Sequence, residues 1–575
     1  MTTPDPAATL RSRRYRFVRI VFSIRGLVVL VLLAGLGWRV GRYAANWPLW
    51  GDEAFVAVNM AERDFAGMLR PPLEYSQIVP LGFLWAELAV TKGLGLSEAA
   101  LHLLPLLAGL AAFLLSWRFF VATLDRRSAL LATAVLAASY YTVRHAVEVK
   151  PYATDMLAAV ALLYLAWRVN LRPRSIRLWA ALIVLGAAGV WCSLPSAFIV
   201  GGVGLFLLWK ALSRRRAGEL AALAAFGLVV SVSFVVMYVV FAGPMASASP
   251  SYWIIPTWQK SFPPLDRPWL LPWWLLQTHA GNMLAYPVGG RNFGSSATLL
   301  LVIAGAVSLW RRGKRDVVIL ALAPLLPALV AAALKKYPYG TSARVMLYMA
   351  SSFCLLAGAG LMVVARWAGA PRAVRRVWGP RVRPAHVRDV VWRGIVVAMV
   401  VLALAGTASD VLWPHKRESN AFARQTVRAI VADFTPADRV LWANAKRHKQ
   451  WLPFLVGSDS VLVRFYLTTL SPAPVEWLIP ADSALRSATQ STSQVQPGAG
   501  HTWLIYFRPP EEVAAAHGGA QREEQYGRYL RELTDRLGQP ITREYVLMKP
   551  YADRAPGTLI ISRFTPLASD SLLAP

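Results

Sequence analysis

The sequence predicts a mainly α-helical membrane protein with many spans and a small α/β domain at its C-terminal end. Of its 575 residues, 56% are hydrophobic and only 16% are charged, and the apolar residues are collected in long runs. Such runs need lipid as their solvent, which excludes an ordinary water-soluble enzyme. After Asp410 the composition changes, and short strand-like and charged helical segments replace the apolar runs.

Apolar windows of about 17–25 residues predict about eleven membrane spans within the segment 26–410. The windows lie near residues 26–43, 98–117, 128–145, 152–167, 178–192, 195–212, 218–242, 296–310, 316–334, 343–365 and 391–410. Those at 152–167 and 296–310 are short for a full crossing, so we expect them to be tilted or broken. The first apolar run is longer than the core of a typical signal peptide, which favours a retained span.

The positive charge of the chain is predicted to lie mainly on one side of the membrane. If the basic segment 1–25 lies inside, the inner segments and the span ends next to them hold 29 of the 61 Lys and Arg residues but only five acidic residues. This asymmetry predicts a bacterial-type cytoplasmic (inner) membrane protein, with its N-terminus inside and the segment 411–575 in the periplasm. The basic clusters are short loops beside spans and lack interleaved aromatic residues. Topology and anionic lipid therefore account for the net charge of +30, and nucleic acid is not expected as a partner.

The predicted outer loops collect candidate functional residues. These loops are 44–97, 146–152, 243–295 and 335–342. An ionisable group buried near a span costs roughly 2.5–3.5 kcal/mol on insertion scales, so a group that faces a cavity is a candidate for function. The residues that meet this criterion best are Asp52, Glu53, Glu148, Asp155 and Arg344. For each acid, a surface position or a structural ion pair is the alternative interpretation.

Two of the outer loops are expected to lie against the membrane surface. The apolar stretch 78–91 is only about fourteen residues long, too short to cross comfortably, and is predicted to be a helix along the interface. The loop 243–295 is rich in Trp and Pro. Its aromatic residues are interpreted as membrane anchors, with sugar or isoprenoid contacts as the alternative.

Four short motifs in these loops resemble the GT-C glycosyltransferases, specifically the family 39 group that includes protein O-mannosyltransferases and the lipid A aminoarabinose transferase. The motifs are Trp50-Gly51-Asp52-Glu53-Ala54, Pro71-Pro72-Leu73, Glu148-Val149-Lys150-Pro151-Tyr152 with Asp155, and Tyr337-Pro338-Tyr339-Gly340 leading to Arg344. The resemblance rests on the order and spacing of these motifs and on their predicted position on the same side of the membrane. It covers roughly residues 20–410. It implies an enzyme that moves a sugar from a polyprenyl-phosphate donor, in contact with membrane lipid, to a glycan, lipid or protein acceptor.

The resemblance also implies roles for individual residues. Asp52 becomes the catalytic base with Glu53 as its neighbour, and Glu148 and Asp155 become the acids of the second loop. The candidates for binding the donor phosphate are Arg344, Lys150, Tyr152 and Lys336, and those for contacting sugar or lipid are His145, Tyr339, His279 and Trp50. The sequence around Asp155 departs from the paired-carboxylate motif of metal-dependent members. Whether a divalent cation binds is therefore left open, and no cofactor is assigned.

The chemistry suits such residues. A sugar joined to a lipid phosphate already carries its leaving group, so the enzyme must deprotonate an acceptor hydroxyl and stabilise the departing phosphate. One carboxylate and a nearby group of cations suffice for this. The expected outcome is a single displacement with inversion at the anomeric carbon, unlike the reactions of paired-carboxylate hydrolases.

The tail is predicted to form a small α/β domain. Helices are expected at 417–433 and 519–537, and strands at 438–442, 502–507, 542–549 and 557–563, with a loop at 486–500. The tail lacks a glycine-rich phosphate loop, a metal cluster and a nucleophile elbow. A lid, an acceptor-recognition domain and a scaffold are the roles open to it.

Two other classes of function compete with a transferase. A transporter or flippase for a lipid-linked saccharide also has many spans and internal charges, but it tends to show internal repeats and broken helices at the midplane. No convincing repeat is visible here, and the acids lie in outer loops. A catalytically silent membrane scaffold that carries the α/β domain is the third possibility.

Overall fold

The computed structural model describes residues 23–248, 256–379, 383–413, 418–442, 458–477, 500–508, 519–547 and 557–565. It is mainly helical, as predicted. The helices up to residue 248 are α1 Ile24–Ala44, α2 Gly51–Glu62, α3 Leu81–Leu94, α4 Glu98–Thr123, α5 Arg126–Ala137, α6 Tyr140–Arg144, α7 Tyr152–Leu171, α8 Ile176–Cys192, α9 Ser196–Arg214, α10 Ala217–Met237 and α11 Gly243–Ala248. They continue with α12 Pro256–Gln259, α13 Leu271–Ala280, α14 Ser296–Arg311, α15 Arg315–Leu322, α16 Leu325–Ala333, α17 Ala350–Ala368, α18 Pro371–Trp378, α19 Pro384–Leu412, α20 Glu418–Val431, α21 Ser458–Leu470 and α22 Gly519–Leu537.

Eight helical segments in the described part of the chain are long and apolar enough to cross a membrane, judged by length and composition. They are Ile24–Ala44, Glu98–Thr123, Tyr152–Leu171, Ser196–Arg214, Ala217–Ala248, Arg315–Ala333, Leu347–Ala368 and Pro384–Leu412. Two further predicted windows coincide with the shorter apolar helices α8 and α14. Each of these ten segments overlaps a window predicted from the sequence.

The remaining window, 128–145, is divided between α5 and α6. The Ser139 hydroxyl lies in the interruption and donates to the carbonyl of Val135 at 2.6 Å, a bond that competes with the backbone ladder. In the segment Arg315–Ala333, Pro324 separates α15 from α16 because proline cannot donate within a helix. Conversely, α7 is an unbroken helix of 20 residues, so the break considered for 152–167 is not found.

Small residues allow α14 and α17 to approach each other closely. A Cβ added at Gly360 would overlap the backbone of Leu301, and one added at Gly305 would overlap the backbone of Leu356. Backbone atoms cannot move aside as the end of a flexible side chain can. The two glycines therefore set the distance between these helices, as small residues do in membrane bundles.

Replacing Gly360 by Ala is expected to lower the stability of the protein by about 1–3 kcal/mol, the usual cost of overpacking. Thermal unfolding in detergent would detect this as an earlier transition. Gly204→Ala in α9 is the matched control, since a Cβ there meets no atom within 4 Å. Equal transitions for the two variants would contradict the close approach of α14 and α17.

The C-terminal segment forms a mixed five-stranded sheet of β1 Arg439–Trp442, β2 Val475–Trp477, β3 Thr502–Arg508, β4 Ile541–Leu547 and β5 Gly557–Phe564. The strand order is β2-β1-β3-β5-β4, with β1 parallel to β2 and β3, and β5 antiparallel to β3 and β4. The predicted helices and strands of the tail are confirmed within one or two residues at most ends. Helix α21 and strand β2 were not predicted, and most of the predicted loop 486–500 lies outside the described residues.

The two faces of this sheet are covered differently, because successive side chains of a strand point to opposite sides. Leu504 and Tyr506 pack under α22. Trp503 and Ile505 belong to a second apolar cluster, which continues through α20 and α21 into α2 and α3. The sheet, α20 and α21 therefore pack together with α2 and α3 at one part of the helical bundle.

Candidate functional site

Asp52 lies in the first turn of α2, where a carboxylate interacts favourably with the helix dipole. Its two oxygens are shared between two cations from distant parts of the chain. Lys150 Nζ lies 3.2 Å from Oδ1, and Arg344 Nη1 donates to Oδ2 at 2.8 Å. The Asp52 side chain is 13% exposed and that of Arg344 26% exposed. The three predicted residues therefore meet at one site, although 292 positions separate Asp52 from Arg344.

The second predicted loop supplies the surroundings of this trio. Glu148 accepts from Arg144 Nε at 2.8 Å and pairs with His145 Nδ1 at 2.5 Å. Pro151 directly precedes α7, and its carbonyl accepts from the backbone N–H of Asp155 at 2.8 Å. The segment that leads into α7 thus places Lys150 beside Asp52 and Glu148 beside Arg144 and His145.

Charge at the site favours ionised carboxylates. Burial alone would raise the pKa of Asp52, but Lys150 and Arg344 outweigh it and hold the pKa below its ordinary value. Burial would likewise raise the pKa of Glu148, while its pairing with His145 and Arg144 holds that pKa well below the usual range. Burial lowers the pKa of Lys150, and its attraction to Asp52 offsets this in part.

A cavity opens beside Lys150, with an empty volume of about 620 Å³ including its mouth. Its polar lining includes Gln77, Lys150 and Asp155, and the rest is largely apolar or aromatic, including Tyr152, Trp258 and Tyr337. Trp258 also lies under the Arg344 guanidinium, 5.6 Å from its ring centre. Asp155 Oδ1 is buried and has no hydrogen-bond partner in the described part of the chain. A polar ligand in this cavity could supply one.

Glu53, predicted as a catalytic neighbour of Asp52, is not paired with Lys150 or Arg344. Its side chain is fully buried and binds His102 Nε2 at 2.9 Å and the backbone N–H groups of Trp50 and Val149 at 3.0 Å each. Adjacent residues of an α-helix point about 100° apart, so α2 can direct only one of the two acids to the cations. Glu53 ties the start of α2 to the Glu148–Lys150 segment instead.

The contacts that the structure gives for several other candidates are with residues outside the trio. Lys336 is exposed and has no ion pair among the described residues. His279 and Tyr339 contact each other, with 3.3 Å between His279 Nε2 and the Tyr339 hydroxyl, and burial raises the pKa of Tyr339. Trp50 stacks beneath Arg144, whose guanidinium lies 5.5 Å from its ring centre, and His145 meets the ring of Tyr152 edge-on at 4.9 Å.

Residues that the sequence did not single out complete the site. Gln77 Oε1 accepts from Lys150 Nζ at 2.7 Å, and no motif marked this amide in its loop. His102 binds Glu53 from within α4. An ionisable residue inside an apolar span is a recognised signal of a functional or structural partner, so His102 could have been found.

The residues present do not fit a resident metal ion. In the described ranges, no group of three or more His, Cys, Asp and Glu side chains is arranged to hold one. Asp52 and Glu148 are each already paired with cations.

Comparison with known proteins gives structural similarities. No family model matches the sequence, and no curated protein does so. ArnT from Cupriavidus metallidurans in the apo state is 14% identical, with a TM-score of 0.49 over 96% of this chain and 98% of that chain. The same protein bound to undecaprenyl phosphate is 15% identical, with a TM-score of 0.49 over 95% and 99% of the two chains.

An archaeal oligosaccharyltransferase, AglB from Archaeoglobus fulgidus, in complex with an inhibitory peptide and a dolichol-phosphate, is 10% identical. Its TM-score is 0.46 over 93% of this chain and 74% of that chain. These proteins are what the chain resembles. At such identities and TM-scores, its activity has to be argued from its own residues.

Proposed function

We propose that this protein is a membrane glycosyltransferase that moves a sugar from a polyprenyl-phosphate donor to an acceptor hydroxyl on the extracytoplasmic side, with inversion. The observation that carries the proposal is the pairing of Asp52 with Arg344 and with Lys150, which lines the cavity. A base and two cations at one site are what transfer from a lipid phosphate requires. The four motifs that resemble GT-C glycosyltransferases add support.

In this proposal the donor phosphate binds to Lys150 and Arg344. Both cations already hold an anion, the carboxylate of Asp52. Phosphate oxygens accept charge-assisted hydrogen bonds from the same N–H groups and bring more negative charge. The phosphate therefore takes over the two cations and leaves the Asp52 carboxylate available for a proton.

The chemical step then balances without a further group. The acceptor oxygen attacks the anomeric carbon of the sugar as its proton passes to Asp52, and the bond between that carbon and the phosphate oxygen breaks. The electron pair leaves on the phosphate, where Lys150 and Arg344 stabilise the charge. A single displacement of this kind inverts the configuration of the anomeric carbon.

The cavity and the membrane suggest where the rest of the substrate lies. Asp155 and Tyr152 line this cavity and are placed to contact sugar hydroxyls. The apolar lining, which includes Ile78, Val79 and Leu194, suits the first part of a prenyl chain. The one-sided positive charge of the sequence supports an outward-facing site in a bacterial inner membrane.

Mass spectrometry of lipid-linked sugars and envelope glycans, in cells with and without the protein, tests the proposed function. We expect a polyprenyl-phosphate sugar to accumulate in its absence and the corresponding glycan, glycolipid or glycoprotein to lose one sugar. Purified protein should restore the product from the isolated donor. A transporter would fail this last step, because transport makes no new glycosidic bond.

The proposal also predicts a change in pH dependence. In Lys150→Gln, one of the two charges that lower the pKa of Asp52 is lost, so that pKa rises. The base then becomes protonated at a higher pH, and the acid limb of kcat/KM moves toward higher pH. The exposed Lys92 at the end of α3 provides the control, and Lys92→Gln should keep the wild-type profile. An acid limb that stays in place in Lys150→Gln would argue against Asp52 as the titrating base.

A further inference from the structure

Arg464 in α21 joins the C-terminal segment to the end of α2. Its Nε and Nη2 bind the two carboxylate oxygens of Glu62 at 2.8 and 2.6 Å, a two-pronged geometry that is specific for arginine. Its Nη1 donates to the Tyr75 hydroxyl at 3.2 Å and lies 3.7 Å from Glu74. The Arg464 side chain is only 10% exposed. These contacts amount to more than a solvated surface pair.

Two of the contacts of Arg464, with Tyr75 and Glu74, lie in the turn Glu74–Ser76. Tyr75 adopts a left-handed backbone conformation with φ of 56°, which costs a non-glycine residue on the order of 1 kcal/mol and needs neighbours to hold it. Its ring stacks on Phe55 of α2 with 5.2 Å between the ring centres, and its hydroxyl binds Arg464. The side chain of Asn59 accepts from the backbone N–H of Glu74 at 2.9 Å.

This turn leads directly to the proposed phosphate site. Gln77 follows it and donates from Nε2 to the carbonyl of Tyr75 at 3.1 Å. The other end of the Gln77 amide accepts from Lys150 Nζ, which in turn lies beside Asp52. A continuous series of contacts therefore runs from Arg464 through Tyr75 and Gln77 to Lys150.

We propose that Arg464 is a positioning residue that couples the C-terminal α/β segment to the phosphate site, by holding the Glu74–Ser76 turn so that Gln77 fixes Lys150 toward Asp52. The reading of Lys150 as a phosphate ligand rests on the proposed function. The positioning itself does not, because it concerns the ligand-free protein. It assigns to the C-terminal segment a part in setting the geometry of the site.

The alternative is that Arg464 only attaches the C-terminal segment. The apolar cluster shared by α20, α21, α2 and α3 already provides a large attachment. Arg424 in α20 provides a second polar one, since it donates to Glu98 at 3.1 Å. Arg424 has no described contact with the Glu74–Ser76 turn or with Gln77. It is therefore a matched control for attachment without positioning.

The first test measures the reactivity of Lys150 in the full, ligand-free chain. Acetylation by an amine-reactive reagent, followed by mass spectrometry, should modify Lys150 slowly in the wild type, where its side chain is 6% exposed. We expect Arg464→Met to raise the rate for Lys150 several-fold and Arg464→Lys to restore it in part. Lys210, whose Nζ lies 2.8 Å from Asp316, serves as an internal reference and should react at the same rate in the variants as in the wild type.

The second test measures binding of a polyprenyl phosphate without a sugar to the purified protein. We expect Arg464→Met and Gln77→Met each to weaken this binding about five- to tenfold, and the double variant to be no weaker than either one, because both act through Lys150. Arg424→Gln is expected to lower the thermal transition while keeping wild-type Lys150 reactivity and phosphate affinity.

The outcomes separate the two proposals. Increased Lys150 reactivity in Arg464→Met, together with a wild type that does not bind polyprenyl phosphate, would support the positioning role and contradict the proposed function. Wild-type Lys150 reactivity in Arg464→Met would overturn the positioning role whatever the wild type binds. Additive losses of affinity in the double variant would also overturn it.

Discussion

Asp52→Asn is expected to lower the rate of sugar transfer by about 10²–10⁴-fold, the range that a positioned general base contributes. The amide cannot accept the proton of the acceptor hydroxyl. It also no longer holds Lys150 and Arg344 as an anion does, so the two cations become more accessible to a phosphate. We therefore expect binding of a polyprenyl phosphate to persist or to tighten while turnover falls. Steady-state rates and direct binding measurements on the same purified variant check both effects.

The combination of slower turnover with undiminished binding distinguishes a base from a structural residue. Asp266→Asn offers a matched control, because the Asp266 side chain is 78% exposed and its described ion pair, at 3.8 Å, is with the adjacent Arg267. This control should retain wild-type rates. Unchanged activity in Asp52→Asn would exclude Asp52 as the base, and loss of both binding and folding would assign it a structural role.

Glu148→Gln is expected to destabilise the protein by about 3 kcal/mol or more, as the loss of one partner of a buried charge pair usually does. The Glu148 side chain is 2% exposed, and it binds both Arg144 and His145. The variant should unfold at a lower temperature in detergent at neutral pH. Glu544→Gln, which removes an exposed carboxylate paired with Arg508, should change stability by about 1 kcal/mol or less.

The effect of Glu148 should also depend on pH in a defined direction. Since the pKa of Glu148 is well below its ordinary value in the folded protein, its ionised form stabilises the fold above the ordinary pKa. This contribution is lost as the pH falls through the folded-state pKa. The difference in stability between wild type and Glu148→Gln should therefore shrink on acidification. A constant difference down to low pH would contradict the lowered pKa.

Most spans and four of the five strands of the C-terminal segment could be read from the sequence because their signals are local. A run of about 20 apolar residues reports burial in lipid, and alternation reports a half-buried strand, whatever the rest of the chain does. Helix α21 was missed: its stretch Val461–Leu467 is buried along its whole length and shows no clear period in the sequence. The helix break within 128–145 lies at Ser139. The hydrogen bond from its hydroxyl to the carbonyl of Val135 cannot be inferred from the hydrophobicity of a sequence window.

The candidate site, like the fold, could be predicted from the sequence only in part. The sequence by itself singled out Asp52 and Arg344, because charges beside apolar spans are costly and therefore informative, and the family resemblance added Lys150. Only the tertiary structure decided that α2 directs Asp52, and not Glu53, toward the cations. It also decided that Lys150 pairs with Asp52, whereas Lys336 is exposed to solvent. The rotation of a helix and the meeting of residues hundreds of positions apart are set by packing between elements, which no local pattern of residues records.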